Sequence, residues 1–273
     1  MIKMTQKYEN GNVILTLDDD LDLGLCLDCG QAFRWKYDES GCWSGVAHSQ
    51  KLRVSQNGDT ITFYDTTPEV FERVWSGYFD LNRNYRDIVA LYTEENIKIA
   101  CAKYPGIRIL KQDEWEAICS FIISANNNIP RIKGIIERLC EGFGEDLGGA
   151  YSFPSAQKLS TLTVEDLAPL RAGFRAKYII DAAQKIASGE VDIEKIKALP
   201  FDEAKAELLK IKGVGEKVAQ CALLYGFGRV EAFPVDVWVK RILAELYPKG
   251  LPQCMDGTQG IAQQYLFHWR RNI

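Results

Sequence analysis

The chain has 273 residues, of which 47% are hydrophobic and 26% charged, as in an ordinary globular protein. Its 37 acidic residues exceed its 33 basic residues, which gives a formal net charge of −4 at pH 7. No apolar run approaches the roughly 18–20 residues of a membrane span. We see no targeting signal in the first twenty residues, and we expect a cytoplasmic protein without a membrane partner.

The charge is unevenly distributed along the chain. Residues 1–105 hold 11 Lys and Arg against 16 Asp and Glu, whereas the remaining residues hold 22 against 21. Phosphate binding depends largely on Lys and Arg, so net acidity counts against a nucleic-acid partner. Because the net negative charge is concentrated in residues 1–105, the remaining residues can still bind DNA.

Hydrophobic residues in the first 65 or so alternate with polar ones, which is typical of half-buried strands. They are Val13, Leu15 and Leu17, then Leu52 and Val54, then Ile61 and Phe63. Asn57-Gly58 between the last two pairs indicates a hairpin turn. This part of the chain predicts an antiparallel sheet.

From about Pro68 the hydrophobic spacing becomes helical. The clearest amphipathic stripes lie within residues 115–123, 132–143 and 239–247. We therefore predict an α+β protein, with an N-terminal antiparallel sheet domain and flanking helices at residues 1–110. A mainly α-helical domain at residues 111–273 follows it.

A glycine-rich turn at Gly213-Val214-Gly215 lies between two helical runs, the second starting near Glu216. Two glycines permit positive φ and a close approach to the backbone. The free N–H groups at the start of the second helix suit a phosphate. The alternative is a helix corner that needs glycine only to turn. The wider pattern, ending in Lys217, resembles the helix-hairpin-helix DNA-binding motif.

Pro234-Val-Asp-Val237 follows about twenty residues later, and Asp236 stands where it can cap the next helix. Capping alone is the alternative interpretation of Asp236. Together, residues 208–242 resemble the helix-hairpin-helix glycosylase superfamily. The resemblance implies that the amine of Lys217 attacks the sugar carbon, forming a Schiff base, and that Asp236 stabilises the positive charge on the sugar.

Four further segments resemble 8-oxoguanine DNA glycosylase of the eukaryotic type, which some prokaryotes also have. They span residues 25–35, 42–45, 124–131 and 173–178, and include Gly-Gln-Ala-Phe-Arg-Trp and Asn-Asn-Asn-Ile-Pro-Arg. The family implies a bifunctional glycosylase and lyase for base excision repair. It would excise 8-oxoguanine and formamidopyrimidine purines from duplex DNA and then cut the strand by β-elimination.

The resemblance also assigns roles to individual residues. Substrate binding falls to Gly30, Gln31, Phe33, Cys221, Gln263 and Phe267, and DNA binding to Asn126, Arg131, Phe174, Arg175, Gly213, Gly215 and Trp238. The Gly30 carbonyl would accept from the N7–H of 8-oxoguanine, which guanine lacks. Gln263 would bond to the Watson–Crick edge of the base after it has flipped out of the duplex. Cys221 and Phe267 would sandwich that base.

On the DNA side, Asn126 would fill the gap that the flipped base leaves in the duplex. Arg131 and Arg175 would bind the cytosine that has lost its partner.

Several of the assigned residues have a plainer alternative. Gln31 and Phe33 fit ordinary strand residues, residues 126–128 fit a helix cap, and Phe267 fits a core position. The matches to one family in chain order outweigh these alternatives.

The chain departs from the family pattern at three positions. Trp238 stands where the eukaryotic pattern has His, Phe174 where it has Tyr, and Tyr225 where an aliphatic residue is more usual. Since Phe174 lacks a hydroxyl in a residue predicted to wedge the duplex, we expect excision opposite bases other than cytosine as well.

The resemblance implies no required cofactor. A structural monovalent cation would bind the backbone carbonyls of Leu209, Ile211 and Val214. The related endonuclease III group carries a four-cysteine iron–sulfur cluster after this Asp. Only Cys254 follows Asp236 here, so we expect no such cluster. A zinc site is the alternative use of Cys26, Cys29, Cys42 and His48, but Cys26 and Cys29 would face opposite sides of a regular strand.

Two other functions remain as alternatives. One is an alkylpurine glycosylase of the same superfamily, which normally lacks the lysine, and the other is a DNA-binding module without catalysis. The pairing of Lys217 with Asp236 favours the enzyme. We expect a monomer that acts on double-stranded DNA containing 8-oxoguanine and, in a prokaryote, is associated with the nucleoid.

Overall fold

The computed structural model describes residues 4–271 and has an N-terminal sheet followed by helices. This confirms the predicted α+β class with its sheet first. The chain divides into two compact units, which we describe separately. The first comprises Met1–Gly45, Leu52–Lys111 and Val230–Ile273, and the second Val46–Lys51 and Gln112–Arg229. The division into domains at residues 1–110 and 111–273 stays a prediction.

Within residues 4–271 the sheet has six strands, which are β1 (Met4–Glu9), β2 (Asn12–Leu17), β3 (Trp35–Tyr37), β4 (Cys42–Ala47), β5 (Gln50–Asn57) and β6 (Thr60–Tyr64). Their order in the sheet is β1-β2-β6-β5-β4-β3. The predicted hairpin forms, but because Asn57 pairs with Thr60 its two turn residues are Gly58 and Asp59, one position later than Asn57-Gly58. All three alternating hydrophobic patterns lie on strands, as predicted.

One face of the sheet supplies the core of the first unit. Val13, Leu15 and Phe63 are fully buried, and the Phe63 ring lies edge-on to Phe71 and Phe79 at 5.0 and 5.7 Å between ring centroids. Burying each such side chain contributes about 1.5–3 kcal/mol. The alternation of residues along these strands therefore decides which face is covered.

Helices of the first unit lie on both sides of the second unit in the sequence. They are α1 (Leu23–Leu27), α2 (Pro68–Val70), α3 (Ser76–Tyr78), α4 (Tyr85–Leu91), α5 (Glu95–Lys103), α13 (Val237–Leu246) and α14 (Gln259–Arg271). A π-helical turn, Phe71–Trp75, joins α2 to α3, and a 3-10 turn, Gln253–Met255, precedes α14. Helix α14 packs against α5 and α13.

A buried arginine ties several loops of the first unit together. The Arg108 side chain is fully buried, with its guanidinium 2.7 Å from the Asp19 carboxylate and 4.7 Å from the centre of the Tyr85 ring. It also donates to the carbonyls of Asp20 and Asp80. Buried charge is tolerated here because it is paired and hydrogen-bonded.

The second unit is helical. Its elements are α6 (Glu114–Ser124), α7 (Ile129–Phe143), α8 (Ala156–Ser160), α9 (Ala176–Ala187), α10 (Ile193–Ala198), α11 (Phe201–Leu209) and α12 (Glu216–Tyr225), with 3-10 turns at Ala168–Leu170 and Gly173–Arg175. Every residue of α6 from Trp115 to Ile123 is buried. A helix covered on all sides is the centre of its unit, and α7, α9 and α12 pack around it.

Candidate active site

The glycine-rich hairpin joins α11 to α12 in the second unit, as the sequence predicts. Gly213 has φ of +82°, a conformation that side chains disfavour. A Cβ at this position would lie 2.4 Å from the Tyr178 ring, so a close approach also demands glycine. The Asp181 carboxylate accepts from the backbone N–H of Lys212, which holds the turn against α9.

Helix α12 begins at the hairpin with Gly215 as its N-cap residue. Within residues 4–271, no side chain caps this helix. Its first N–H groups and the positive end of its dipole therefore suit an anion. This geometry fits the phosphate contact predicted for Gly213 and Gly215, which itself stays a prediction.

The carbonyls predicted to hold a monovalent cation belong to the same turn. The Ile211 carbonyl accepts from the Val214 N–H at 3.1 Å, and a carbonyl oxygen has a second lone pair. Lys185 already brings a cation to this edge of the turn, because its ammonium donates to the Lys210 carbonyl. Carbonyl oxygens are ligands that suit a hard cation, and the ion itself remains a proposal.

Lys217 lies in the first turn of α12 and contacts α6. Its Nζ is 3.3 Å from Ser124 Oγ and 5.5 Å from the centre of the Phe121 ring. The Ser124 hydroxyl donates to the Phe121 carbonyl at 2.8 Å, so its oxygen accepts from Lys217. Ser124 belongs to a segment that supports the family resemblance, but no sequence pattern indicates its contact with Lys217.

The Phe121 ring also stacks on Tyr225, with centroids 5.1 Å apart and an angle of 20° between the rings. Tyr225 is one of the three departures from the family pattern and is buried. Cys221, one turn after Lys217, is buried on the same helix. The lysine, the cysteine and two aromatic rings thus occupy adjoining positions on α6 and α12.

Asn126, Arg131 and Arg175, three of the predicted DNA-binding residues, lie at or next to the start of α7. Asn126 is exposed and has φ of +48°, and the Asn128 side chain caps the helix. Arg175 donates to the Ala125 and Asn126 carbonyls at 2.5–2.9 Å, which fixes the loop around Asn126. Burial and the nearby charge of Arg131 lower the pKa of Arg175.

Two exposed aromatic side chains match the predicted DNA-binding set. Phe174 is 51% exposed, and the Arg175 guanidinium lies 4.4 Å from the centre of its ring. In the first unit, Trp238 is 46% exposed, with Arg241 5.1 Å from its ring. Large exposed apolar groups beside cations suit stacking against bases next to phosphates. The contacts of Arg131, Arg175, Phe174 and Trp238 with DNA stay predictions.

Asp236 lies in the first unit as the N-cap of α13. Its Oδ1 accepts from the Val239 N–H at 2.8 Å. The capping interpretation is therefore correct, and it leaves the other carboxylate oxygen with acceptor capacity. Capping also orients the carboxylate, so the capping and catalytic interpretations are compatible.

The predicted substrate-binding residues of the first unit are mostly buried. Gly30 has φ of +88°. Gln31 is 1% exposed, donates to the Cys26 and Arg108 carbonyls and accepts from the Leu110 N–H. In this structure Gln31 therefore holds the segment that contains Gly30, outside any regular strand. Its direct contact with a base stays a prediction.

The other three predicted substrate-binding residues of this unit differ in exposure. Gln263 and Phe33 are 6% and 7% exposed. Phe267 is half-buried on α14, with the Arg271 guanidinium 6.0 Å from its ring centre. Phe267 is thus not a fully buried core residue, and its stacking role stays a prediction.

The cysteines near Gly30 do not resemble a zinc site. Burial raises the pKa of Cys29 to about 11 and that of Cys26 further, so both are thiols at neutral pH in the metal-free protein. Among residues 4–271, no group of three or more His, Cys, Asp or Glu side chains is arranged to hold a metal ion.

Comparison with known proteins identifies the family. Residues 13–118 match the family described as "8-oxoguanine DNA glycosylase, N-terminal domain", and residues 119–250 match "HhH-GPD superfamily base excision DNA repair protein". The N-glycosylase/DNA lyase of Saccharomyces cerevisiae is 32% identical, over 88% of this chain and 72% of that protein. The chain belongs to the 8-oxoguanine DNA glycosylase family.

Other members of the family agree with this assignment. The probable N-glycosylase/DNA lyase of Methanothermobacter thermautotrophicus is 33% identical, over 62% of each protein. The Clostridium acetobutylicum 8-oxoguanine glycosylase/lyase, solved in complex with dsDNA containing cytosine opposite to 8-oxoG, is 37% identical. Its TM-score is 0.91, and the match covers 100% of this chain and 98% of that one. The predicted family membership is confirmed.

Proposed function

We propose that this protein is a DNA glycosylase and AP lyase of base excision repair. It excises 8-oxoguanine, and formamidopyrimidine purines as well, from duplex DNA. The observation that carries the proposal is an amine at the start of the hairpin helix, Lys217, in a chain of this family. Relatives named N-glycosylase/DNA lyase support both halves of the activity.

The reaction follows from the chemistry of Lys217. Its unprotonated Nζ attacks C1′ of the damaged nucleotide, the bond from C1′ to the base breaks, and the base leaves with the bonding electrons and takes up a proton. Ring opening then gives a Schiff base. Loss of a C2′ proton expels the 3′ phosphate by β-elimination, and hydrolysis of the Schiff base releases the lysine.

Asp236 and Ser124 support that chemistry in different ways. Positive charge develops on the sugar as the base leaves, and the Asp236 carboxylate stabilises it. The Ser124 hydroxyl accepts from Lys217 Nζ, which limits where the amine can point. Because Ser124 accepts from an N–H of the neutral amine, the single lone pair of Nζ stays available for C1′.

The opposite base and the surroundings of the enzyme are further parts of the proposal. Phe174 lacks a hydroxyl, and Trp238 replaces a histidine of the family pattern. The enzyme therefore also excises the lesion when a base other than cytosine lies opposite it. None of the helices in residues 4–271 has the length and apolar composition of a membrane span. We propose a cytoplasmic enzyme, associated with the nucleoid in a prokaryote, that acts as a monomer.

Strand incision tests the proposal directly. Labelled duplexes carrying 8-oxoguanine opposite each of the four bases are incubated with the wild type, with Lys217→Gln and with Lys158→Gln. Lys158 is an exposed lysine of α8 and serves as the matched control. We expect incision by the wild type and Lys158→Gln but not by Lys217→Gln. Equal incision by Lys217→Gln, or none by the wild type, would overturn the proposal.

A further inference from the structure

Three buried side chains of the first unit form a continuous chain of polar contacts. Gln263 Nε2 donates to the Pro234 carbonyl at 3.2 Å, and Gln264 Nε2 donates to Gln263 Oε1 at 3.2 Å. The Cys29 thiol lies 3.6 Å from Gln264 Oε1. Cys29, Gln263 and Gln264 are each at most 6% exposed. We call these three side chains, together with the Pro234 carbonyl, the amide relay.

The polarity of the amide relay follows from its first member. A backbone carbonyl only accepts, so the Pro234 oxygen must face the NH₂ end of Gln263. The Gln263 oxygen then faces Gln264, which must donate, and the Gln264 oxygen faces Cys29. A flipped Gln263 would set its oxygen against the Pro234 oxygen and its NH₂ against that of Gln264. Two mismatched contacts therefore oppose the flip.

Cys29 can act as the donor at the far end of the relay. Burial raises its pKa to about 11, so it stays a thiol with a proton at neutral pH. The thiol also lies 3.5 Å from the Cys26 carbonyl, which can only accept. The single S–H can reach either acceptor, and a thiolate could bond to neither of them. The relay ends next to Gly30 in the chain.

The orientation of an amide decides which purine it can read. A free glutamine presents an acceptor and a donor in either order, because flipping exchanges its oxygen and nitrogen. The Watson–Crick edge of 8-oxoguanine offers an N1–H donor and an O6 acceptor, whereas that of 8-oxoadenine offers an N1 acceptor and an N6–H donor. Each therefore requires the opposite orientation of the same glutamine.

We propose that Gln264, oriented by Cys29, is a positioning residue that locks the Gln263 amide in the orientation that reads a guanine-type edge. The proposal rests on the function proposed above, in which Gln263 meets the flipped base. With both ends of its amide already bonded, Gln263 still has one oxygen lone pair and one N–H for that base. The relay thereby restricts Gln263, which could otherwise bond to the Watson–Crick edge of either purine, to the edge of guanine-type bases.

The test compares two lesions that differ only at this edge. 8-oxoguanine and 8-oxoadenine both carry N7–H and a C8 carbonyl, so the contact predicted for the Gly30 carbonyl is common to them. Single-turnover excision of each, opposite cytosine, is measured for the wild type, Gln264→Leu and Cys29→Ala. Cys29→Ser keeps a donor, and Gln259→Leu makes the same substitution elsewhere on α14.

We expect the ratio of the 8-oxoguanine rate to the 8-oxoadenine rate to fall about fivefold in Gln264→Leu and about threefold in Cys29→Ala, as for loss of one hydrogen bond. Cys29→Ser and Gln259→Leu should keep the wild-type ratio. Equal slowing on both lesions would show that Gln264 only supports the fold, and it would overturn the proposal. An unchanged ratio in Gln264→Leu and Cys29→Ala would overturn it too.

Binding provides a second readout that needs no catalysis. In the Lys217→Gln background, the affinities for the two duplexes are compared with and without Gln264→Leu, and the same fivefold change in their ratio is expected. If the wild type bound the 8-oxoguanine duplex selectively without cutting its strand, the lyase chemistry would be contradicted but the proposed role of Gln264 would not. Selective binding that is unaffected by Gln264→Leu would contradict the relay alone.

Discussion

Replacing Gly213 with alanine would place a methyl group where the hairpin meets α9. The new Cβ would lie 2.4 Å from two carbon atoms of the Tyr178 ring, whereas non-bonded carbon atoms prefer about 3.5–4.0 Å. The ring and the turn must therefore separate by roughly an ångström. The left-handed backbone at φ +82° adds strain of its own.

Two separable costs make up the expected loss of stability. The left-handed conformation costs a residue with a Cβ about 1–2 kcal/mol, and overpacking against the ring costs about 1–3 kcal/mol. The free energy of unfolding should thus fall by about 2–5 kcal/mol in Gly213→Ala. In a Tyr178→Ala background the steric part disappears, so there the same change should cost about 1–2 kcal/mol.

Urea unfolding of the four proteins in this cycle measures both parts. Gly215→Ala is the matched stability control, because φ is −100° at Gly215 and nothing lies within 4 Å of its added Cβ. That variant should change stability by about 0.5 kcal/mol or less. If Gly213→Ala and Gly215→Ala were equally stable, or if removing the Tyr178 ring made no difference, the close approach at the hairpin would be refuted.

Three further predictions concern the chemistry and its specificity. Asp236→Asn keeps the cap of α13, so urea unfolding should change by about 0.5 kcal/mol or less, while single-turnover excision slows about 100-fold; unaltered excision would exclude a catalytic role. Ser124→Ala should slow borohydride trapping on an abasic duplex about fivefold, and unchanged trapping would count against the contact with Lys217. Phe174→Tyr should raise the preference for cytosine opposite the lesion roughly threefold or more, which excision opposite the four bases measures; a constant preference would contradict it.

Local patterns were sufficient to predict much of the fold. The alternation at Val13 and Leu15 fixed a strand because only one face of it could be buried. The hairpin could be predicted for a related reason, since Gly213 and Gly215 mark a turn and the helical spacing on either side marks its two helices. Asp236 could be placed at a helix start because Asp favours that position.

Contacts between distant segments could not be predicted in the same way. Nothing in the spacing of Ser124 and Lys217 indicates that they touch, because 93 positions separate them and the packing of α6 against α12 brings them together. The contact between Cys29 and Gln264 spans 235 positions for the same kind of reason. Gln264 follows the predicted base reader directly, yet only the fold reveals that it orients that residue.

The family resemblance carried the assignment of the remaining site residues, and the structure adds a second function to some of them. Arg175 was assigned to the orphaned cytosine, and its guanidinium holds the loop that presents Asn126. Gln31 was assigned to substrate, and it bonds to three backbone groups around Gly30. Buried polar groups need such partners, so a contact with DNA or a base can be added only where capacity remains.

Borohydride trapping with identification of the attached residue tests the central claim most directly. The wild type is mixed with a duplex containing 8-oxoguanine opposite cytosine, reduced with borohydride and digested, and the peptide joined to DNA is sequenced by mass spectrometry. The nucleophile proposed here predicts a covalent complex through Lys217 that is absent from Lys217→Gln. Attachment through another residue, or incision without any trapped complex, would contradict it.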